Sequence, residues 1–396
     1  MSYNKRSFEL GSKRSVIREI FEYSKARKAE IGNDKVFDFS LGNPSVKPPE
    51  EVKEAIISIL NESDPTVVHG YTSAQGDARV RKAVSDNIAA RFGVKMSPDL
   101  IYMTCGAAAS LSICLKALLD KDDEVIVFAP FFTEYSVFIT NADGKVVVSM
   151  PEPKTFQVDV ADFESRISPR TKAVIINSPN NPSGVVYTKD TVEKVCEALR
   201  RKSCEFKNDI YLIADEPYRE LVYGDVEVPY IMNYYKNSLV CYSYSKSLSL
   251  PGERIGYIAV NPEADCAQEI YLAVCGAGRS LGYVCAPSLF QRVAARCVNT
   301  KVNIAPYKEN RDILYGNLTD FGFECVKPDG AFYLFVKSPD VSATAFYEKA
   351  KKYELLVVPC DDFGIEGYVR IAYCVDKSAI VGSLPYFKAL AQDYGL

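Results

Sequence analysis

The apolar positions of this chain alternate between two periods. Short runs of β-branched and aromatic residues read as strands, and the 3.6-residue patterns between them read as helices. Val16, Ile17, Ile20, Phe21 and Ala29 share one helical face, which predicts a helix over 14–31 behind a polar arm at 1–13. Val36-Phe37-Asp38-Phe39-Ser40-Leu41 reads as a strand closed by the turn Gly42-Asn43-Pro44. Helices follow at 49–60 and 77–92, with a loop of small and aromatic residues at 66–76 between them.

From there strand and helix alternate. Strands are predicted at 101–104, 123–128, 145–148, 173–177, 210–214, 239–243 and 255–260. Helices fall between them, one ending at Leu119 and others at 133–141, 159–168 and 188–206. This order predicts an α/β fold, a three-layer sandwich around a mostly parallel sheet. Ligands of such sheets bind beyond the carboxyl ends of the strands. Gly106, Phe132, Asn177, Asn181, Asp215, Tyr218, Ser243 and Lys246 all fall at those ends. After about residue 265 the pattern changes. A long helix, a helical stretch at 288–320, strands at 332–336, 355–359 and 368–373, and a closing helix at 377–393 predict a smaller α+β domain.

Composition narrows the function. The net charge of -4 argues against a nucleic-acid partner, whose phosphates demand concentrated Lys and Arg. No apolar run reaches the length of a membrane span. Twelve cysteines contain no Cys-x-x-Cys pair and sit in apolar patterns, as in Leu111-Ser112-Ile113-Cys114-Leu115. They read as small hydrophobes of a reducing compartment, and Met1 to Arg6 lack the apolar core of a secretion signal, so a cytoplasmic location is expected. His69 is the only histidine, which removes histidine-rich metal sites; no metal is expected.

The stretch Ser243 to Gly256 carries the candidate chemistry. It sets Lys246 among small hydroxyl residues, then Arg254, then a glycine before an apolar run. Such a lysine can hold an aldehyde cofactor as a Schiff base. If that cofactor is pyridoxal phosphate, four further roles must be filled. Asp215, ending an apolar strand, suits the ring nitrogen, and Tyr218 and Asn181 suit the ring oxygen. Phe132 suits the ring face. The amides of Gly106, Ala107 and Ala108, with Ser243, Ser245 and Arg254, suit the phosphate. Each residue taken singly also has a plain structural reading: Asp215 as a helix cap, Phe132 as core, Arg254 as a surface ion pair. Their joint order along the chain is what favours chemistry.

That order resembles the fold-type I pyridoxal phosphate enzymes, specifically the class I/II aminotransferases of aspartate aminotransferase type. The matching segments are Leu41-Gly42-Asn43-Pro44, Asn181-Pro182-Ser183-Gly184, Ala214-Asp215-Glu216-Pro217-Tyr218, Ser243-Tyr244-Ser245-Lys246, Arg254-Ile255-Gly256, Gly330-Ala331-Phe332-Tyr333 and Tyr368-Val369-Arg370-Ile371. The resemblance implies transfer of an amino group between an L-amino acid and a 2-oxo acid by a ping-pong route. It implies that Lys246 both holds the cofactor and moves the substrate proton, that Asp215 and Tyr218 share the catalysis, and that Arg370 clamps the α-carboxylate with help from Asn181 and Gly42. It implies a homodimer in which Tyr71 reaches the other subunit's phosphate. It also implies three segments: an arm and part of the small domain at 1–43, a cofactor-binding domain at 44–285 and a small domain at 286–396.

This chain departs from many relatives at Ala107-Ala108-Ala109, where hydroxyl or lysine side chains are common. Arg279 lies close in spacing to an arginine that other relatives donate across the dimer to a dicarboxylate side chain, so the resemblance implies that it could read a distal substrate carboxylate; its plain structural reading is a helix-end arginine on the surface. A C–S lyase of the cystathionine β-lyase kind would use the same cofactor residues. A regulator with an aminotransferase-like domain would need an N-terminal DNA-binding module, and residues 1–30 leave no room for one.

Overall fold

The computed structural model describes residues 3–12 and 15–396. Its strands are β1 (Phe37–Asp38), β2 (Ile101–Thr104), β3 (Glu124–Phe128), β4 (Lys145–Ser149), β5 (Thr171–Asn177), β6 (Tyr211–Glu216) and β7 (Ser238–Ser243), then β8 (Gly256–Val260), β9 (Cys325–Val326), β10 (Tyr333–Lys337), β11 (Leu355–Leu356), β12 (Val358–Pro359) and β13 (Tyr368–Ala372). β2 to β8 form one sheet in the order β2-β8-β7-β6-β5-β3-β4. Neighbours run parallel except β8, which is antiparallel to β2 and to β7.

Every residue of β2, β6, β7 and β8 is buried. Helices cover both faces of such a sheet, so its strands read as unbroken apolar runs rather than alternating ones. β5, β6 and β7 are adjacent and end at Asn177, Glu216 and Ser243. β2 points the same way and delivers the chain to Gly106. The sheet topology therefore gathers at one edge the residues that the sequence scatters over more than a hundred positions.

A second sheet, β12-β13-β10-β9, is antiparallel, and β1 pairs with β11 alongside it. β13 is central there, with Arg370 opposite Phe335 of β10 and Val358 of β12. The buried apolar residues form two clusters. One runs from Val52 to Cys297 around the large sheet. The other joins Ile20 and Val36–Phe39 to residues 302–391, and takes in Tyr218, Leu221 and Tyr223 from beyond β6. The helix Ser288–Arg296 gives Val293 and Ala294 to the first cluster.

Several elements differ from the sequence reading. The loop at 66–76 opens with a short helix, Pro65–His69, capped by the Asp64 carboxylate on the Thr66 amide, with proline in its first turn. The helical stretch at 288–320 is two helices, Ser288–Arg296 and Ala305–Asp320, and Pro306 opens the second. The strand expected over 36–41 keeps only two residues, because Ser40 turns its carbonyl to Arg370 instead of a ladder partner. The first long helix is Val16–Ile31; its predicted start at residue 14 lies outside the described residues. All twelve cysteines are free. Among the described residues no helix is long and apolar enough to cross a membrane, and no acidic, histidine or cysteine cluster could hold a metal.

Candidate active site

β7 ends at Ser243, and the chain turns at once into the single helical turn Tyr244–Ser247. That turn aims Lys246 back over the sheet edge. Its Nζ donates to the Gly42 carbonyl at 2.7 Å and lies 5.3 Å from the centre of the Phe332 ring. Burial lowers the ammonium pKa to about 8, and the positive charges of Arg254 and Arg370 push the same way.

Asp215 is the next-to-last residue of β6 and is buried. Its Oδ2 accepts from the Tyr135 hydroxyl at 2.5 Å, while Oδ1 is enclosed and has no partner among the described residues. Burial raises the carboxyl to about 7, against the lowering effect of the Tyr135 bond. Asn177, at the end of β5, ties the neighbouring strand in. Its amide nitrogen donates to the Asp215 carbonyl at 2.8 Å and its oxygen accepts from the Asn181 backbone at 2.8 Å.

Arg370 projects from the middle of the second sheet and is 2% exposed. Its Nη1 donates to Asn181 Oδ1 at 3.1 Å and its Nη2 to the Ser40 carbonyl at 2.6 Å. Nε is buried without a partner among the described residues. No carboxylate pairs with it among the described residues. A buried cation without a counter-ion is costly, so the arrangement is poised for an anionic ligand. The Tyr218 hydroxyl meets that of Tyr333 at 2.9 Å.

Lys246, Asp215, Tyr218, Asn181, Arg370 and Phe132 line one cavity of about 260 Å³, together with Gly42, Ala107 and Ala108. Beside it, Gly106 takes a φ of +93° ahead of the helix Ala107–Leu118. A Cβ on Gly106 would come within 3.1 Å of Arg254 Nη2 and 3.6 Å of Ser243 Oγ. The hydroxyls of Ser243 and Ser245 lie 2.8 Å apart below it. First-turn amides of a helix have no acceptor within it, so glycine, amides, hydroxyls and arginine together make an anion cup. Two expected residues stand apart. Tyr71 is 99% exposed, and Arg279 is exposed at the end of the helix Ala267–Leu281 with no ion-pair partner among the described residues.

The sequence reading gave no site role to Tyr135, Tyr333, Ser40 or Ile17, although Tyr333 stands in one of the matching segments. Tyr135 follows Phe132 by one helical turn, which was the available signal. Ile17 lines the cavity from the first long helix. Ser40 acts through its carbonyl, which side-chain identity does not reveal.

The model of the family described as aminotransferase class I and II matches residues 34–380. The chain belongs to that family. A probable aspartate/prephenate aminotransferase of Aquifex aeolicus is 30% identical, over 93% of this chain and 94% of its own length. An amino transferase structure from Eubacterium rectale matches at a TM-score of 0.98 and 50% identity, with both chains fully covered. Aspartate aminotransferase from Thermus thermophilus, solved with maleate, matches at 0.86 and 26% identity, covering 98% of this chain and all of its own. The protein is a transaminase with the aminotransferase fold, and its family works with pyridoxal phosphate. These relatives lend no support to a C–S lyase. The site's donor set fits the cofactor: an enclosed amine, a carboxylate oxygen without a partner, and an anion cup on the same edge.

Proposed function

We propose that this aminotransferase moves the amino group of an acidic L-amino acid, aspartate or glutamate, to a 2-oxo acid by a ping-pong route. One observation carries the residue assignment: a buried, unpaired guanidinium, a desolvated amine and a carboxylate with one free oxygen face the same cavity.

Pyridoxal phosphate, when bound, supplies a carbon that the lysine amine can attack and a ring that accepts the electron pair left at the substrate's Cα. Lys246 holds that group and later, as a neutral amine, takes the Cα proton. Its lowered pKa makes the neutral form accessible near physiological pH. Asp215, with its free Oδ1, would pair with the ring nitrogen, whose positive charge would oppose the burial effect and favour the ionised carboxylate. Tyr218 and the Asn181 amide donate to the ring oxygen; the Asn181 oxygen is already turned to Arg370. Phe132 covers one ring face. The amides of Gly106, Ala107 and Ala108, with Ser243, Ser245 and Arg254, hold the phosphate. Arg370 takes the substrate α-carboxylate in the two-pronged geometry of guanidinium, beside Gly42.

The reading includes a cytoplasmic homodimer whose copies complete each other's sites, with no nucleic-acid or membrane partner. Tyr71 and Arg279 are exposed, as are Leu272, Tyr283 and Val284 on or just after the helix that carries Arg279. Cys285 binds Ala74 and Thr72 through its amide and thiol, so both neighbourhoods share one face. Exposed apolar groups in one place favour a protein partner. The two buried clusters favour a large unit and a small one that joins residues near the N-terminus to the C-terminal block, but Ala286, Val293, Ala294 and Cys297 pack with the large sheet, so the division falls near residue 300 rather than at 285.

The test is to mix the purified, cofactor-loaded protein with single amino acids and follow the cofactor's absorbance. Aspartate or glutamate should convert the band and alanine should not, and a 2-oxo acid should restore it. Steady release of pyruvate and ammonia without a 2-oxo acid would sink the reading. Lys246→Ala should abolish covalent retention of the cofactor after borohydride reduction.

A further inference from the structure

Tyr333 opens β10 between two groups assigned above. Its hydroxyl lies 2.9 Å from that of Tyr218, and its ring centre lies 4.6 Å from the Arg370 guanidinium carbon. We propose that Tyr333 is a positioning residue for both: its hydroxyl donates to the Tyr218 oxygen, and its ring seats Arg370. This rests on the function proposed above and deepens it.

The hydroxyl argument is one of counting protons. Each phenol has one O–H to give. Among the described residues the Tyr333 hydroxyl hydrogen-bonds Tyr218 alone. Its other close neighbour is Gly42, where a Cβ would come 2.0 Å from the Tyr333 oxygen. Glycine at 42 is what gives this phenol room. With the Tyr333 proton spent on Tyr218, the Tyr218 proton is left for the cofactor's ring oxygen. A hydroxyl that accepts one hydrogen bond also donates a stronger one.

The ring argument is electrostatic. Arg370 is buried with hydrogen bonds to two neutral oxygens and no anion. A carboxylate beside it would stabilise the charge but compete with the substrate's own carboxylate. The face of an aromatic ring attracts the cation while leaving the N–H edge free. Tyr333 thus supports the clamp without blocking it.

The experiment compares Tyr333→Phe, Tyr333→Leu, Tyr218→Phe and the double variant Tyr218→Phe/Tyr333→Phe as loaded enzymes. It reads kcat and KM for the amino donor, and the pH midpoint of the bound cofactor's visible absorbance without substrate. Tyr333→Phe should raise that midpoint, lower kcat about fivefold, the size of one net hydrogen bond, and leave KM within about twofold. In the Tyr218→Phe background it should do nothing further. Tyr333→Leu should in addition raise KM about fivefold, through the lost ring face. An unchanged midpoint and kcat in Tyr333→Phe, or an effect that adds in full to that of Tyr218→Phe, would overturn the hydroxyl's part. A KM in Tyr333→Phe as high as in Tyr333→Leu would overturn the ring's part, as would a folded Tyr333→Leu with parental KM. A parent enzyme that binds no cofactor covalently at Lys246 would count against the function itself, not this inference.

Discussion

The Tyr135 hydroxyl donates to Asp215 Oδ2 at 2.5 Å, so one carboxylate oxygen is occupied from within the protein and the other is free. This fixes which oxygen meets a ligand. It also makes the carboxylate easier to ionise than burial alone would allow. Tyr135→Phe should leave Oδ2 buried and unpartnered, and raise the Asp215 pKa further. We expect cofactor affinity to fall about tenfold, the penalty of one unsatisfied bond to a charged group. Equilibrium dialysis against free pyridoxal phosphate measures it. Unchanged affinity would show that Oδ2 contributes nothing to the pairing.

Asp215 also predicts a pH dependence for the cofactor-free protein. Its carboxyl rises from 3.8 to about 7 on folding. Between about pH 4 and 7 the folded chain keeps a proton that the unfolded chain has released, so this group's contribution to stability falls as pH rises through that window. Asp215→Asn has no proton to lose. Its melting temperature should therefore improve against that of the parent from pH 5 to about pH 7, then level off. A constant difference across this range would contradict the burial account.

Much of this site was legible because chemistry collects at strand ends. Asp215, Lys246 and Asn181 follow apolar runs and precede turn-forming residues, and the sheet order brings those ends together. Arg370 was legible only through the family resemblance, since a lone charge in an alternating strand more often marks a sheet edge. Tyr135 and Tyr333 were not, since each reads as an ordinary core aromatic of a helix or strand until a partner from another element is known. Ser40 contributes a backbone carbonyl, which any residue type supplies. The break between the helices at 288–296 and 305–320 was hidden because apolar spacing continues on both sides of it.

Arg370 predicts a clean separation of kinetic constants. Its guanidinium spreads donors to Asn181 and Ser40 while keeping Nε unpartnered. Lysine keeps the charge but offers a point donor on a shorter, flexible stem in place of the planar fork. Arg370→Lys should raise KM for the amino donor and for the 2-oxo acid by about 10- to 100-fold, matching the loss of one or two charge-assisted hydrogen bonds. Both substrates should suffer, because both carry an α-carboxylate. A rise for only one of them would place the carboxylate elsewhere.

On the proposed function, Arg279 is the residue that reads the substrate side chain. In one chain the cationic side chains lining the cavity are Lys246 and Arg370, and both have other duties. The wall near Ala107 and Ala108 is uncharged, so a distal carboxylate needs a cation from a second copy. Arg279 is exposed beside Tyr283 and Val284, unpaired among the described residues. Arg279→Ala should lower kcat/KM for aspartate by about 10- to 100-fold, the worth of a charge-assisted pair, and leave alanine within about twofold. The loss should appear with the 2-oxo acid of aspartate as well, since both halves of the reaction use one site. Mixing Arg279→Ala with Lys246→Ala subunits adds a geometric check. If the arginine is donated across the dimer, the hybrid holds one site with both defects and one intact, and aspartate activity should return in part. Equal loss for alanine and aspartate would remove Arg279 from substrate recognition.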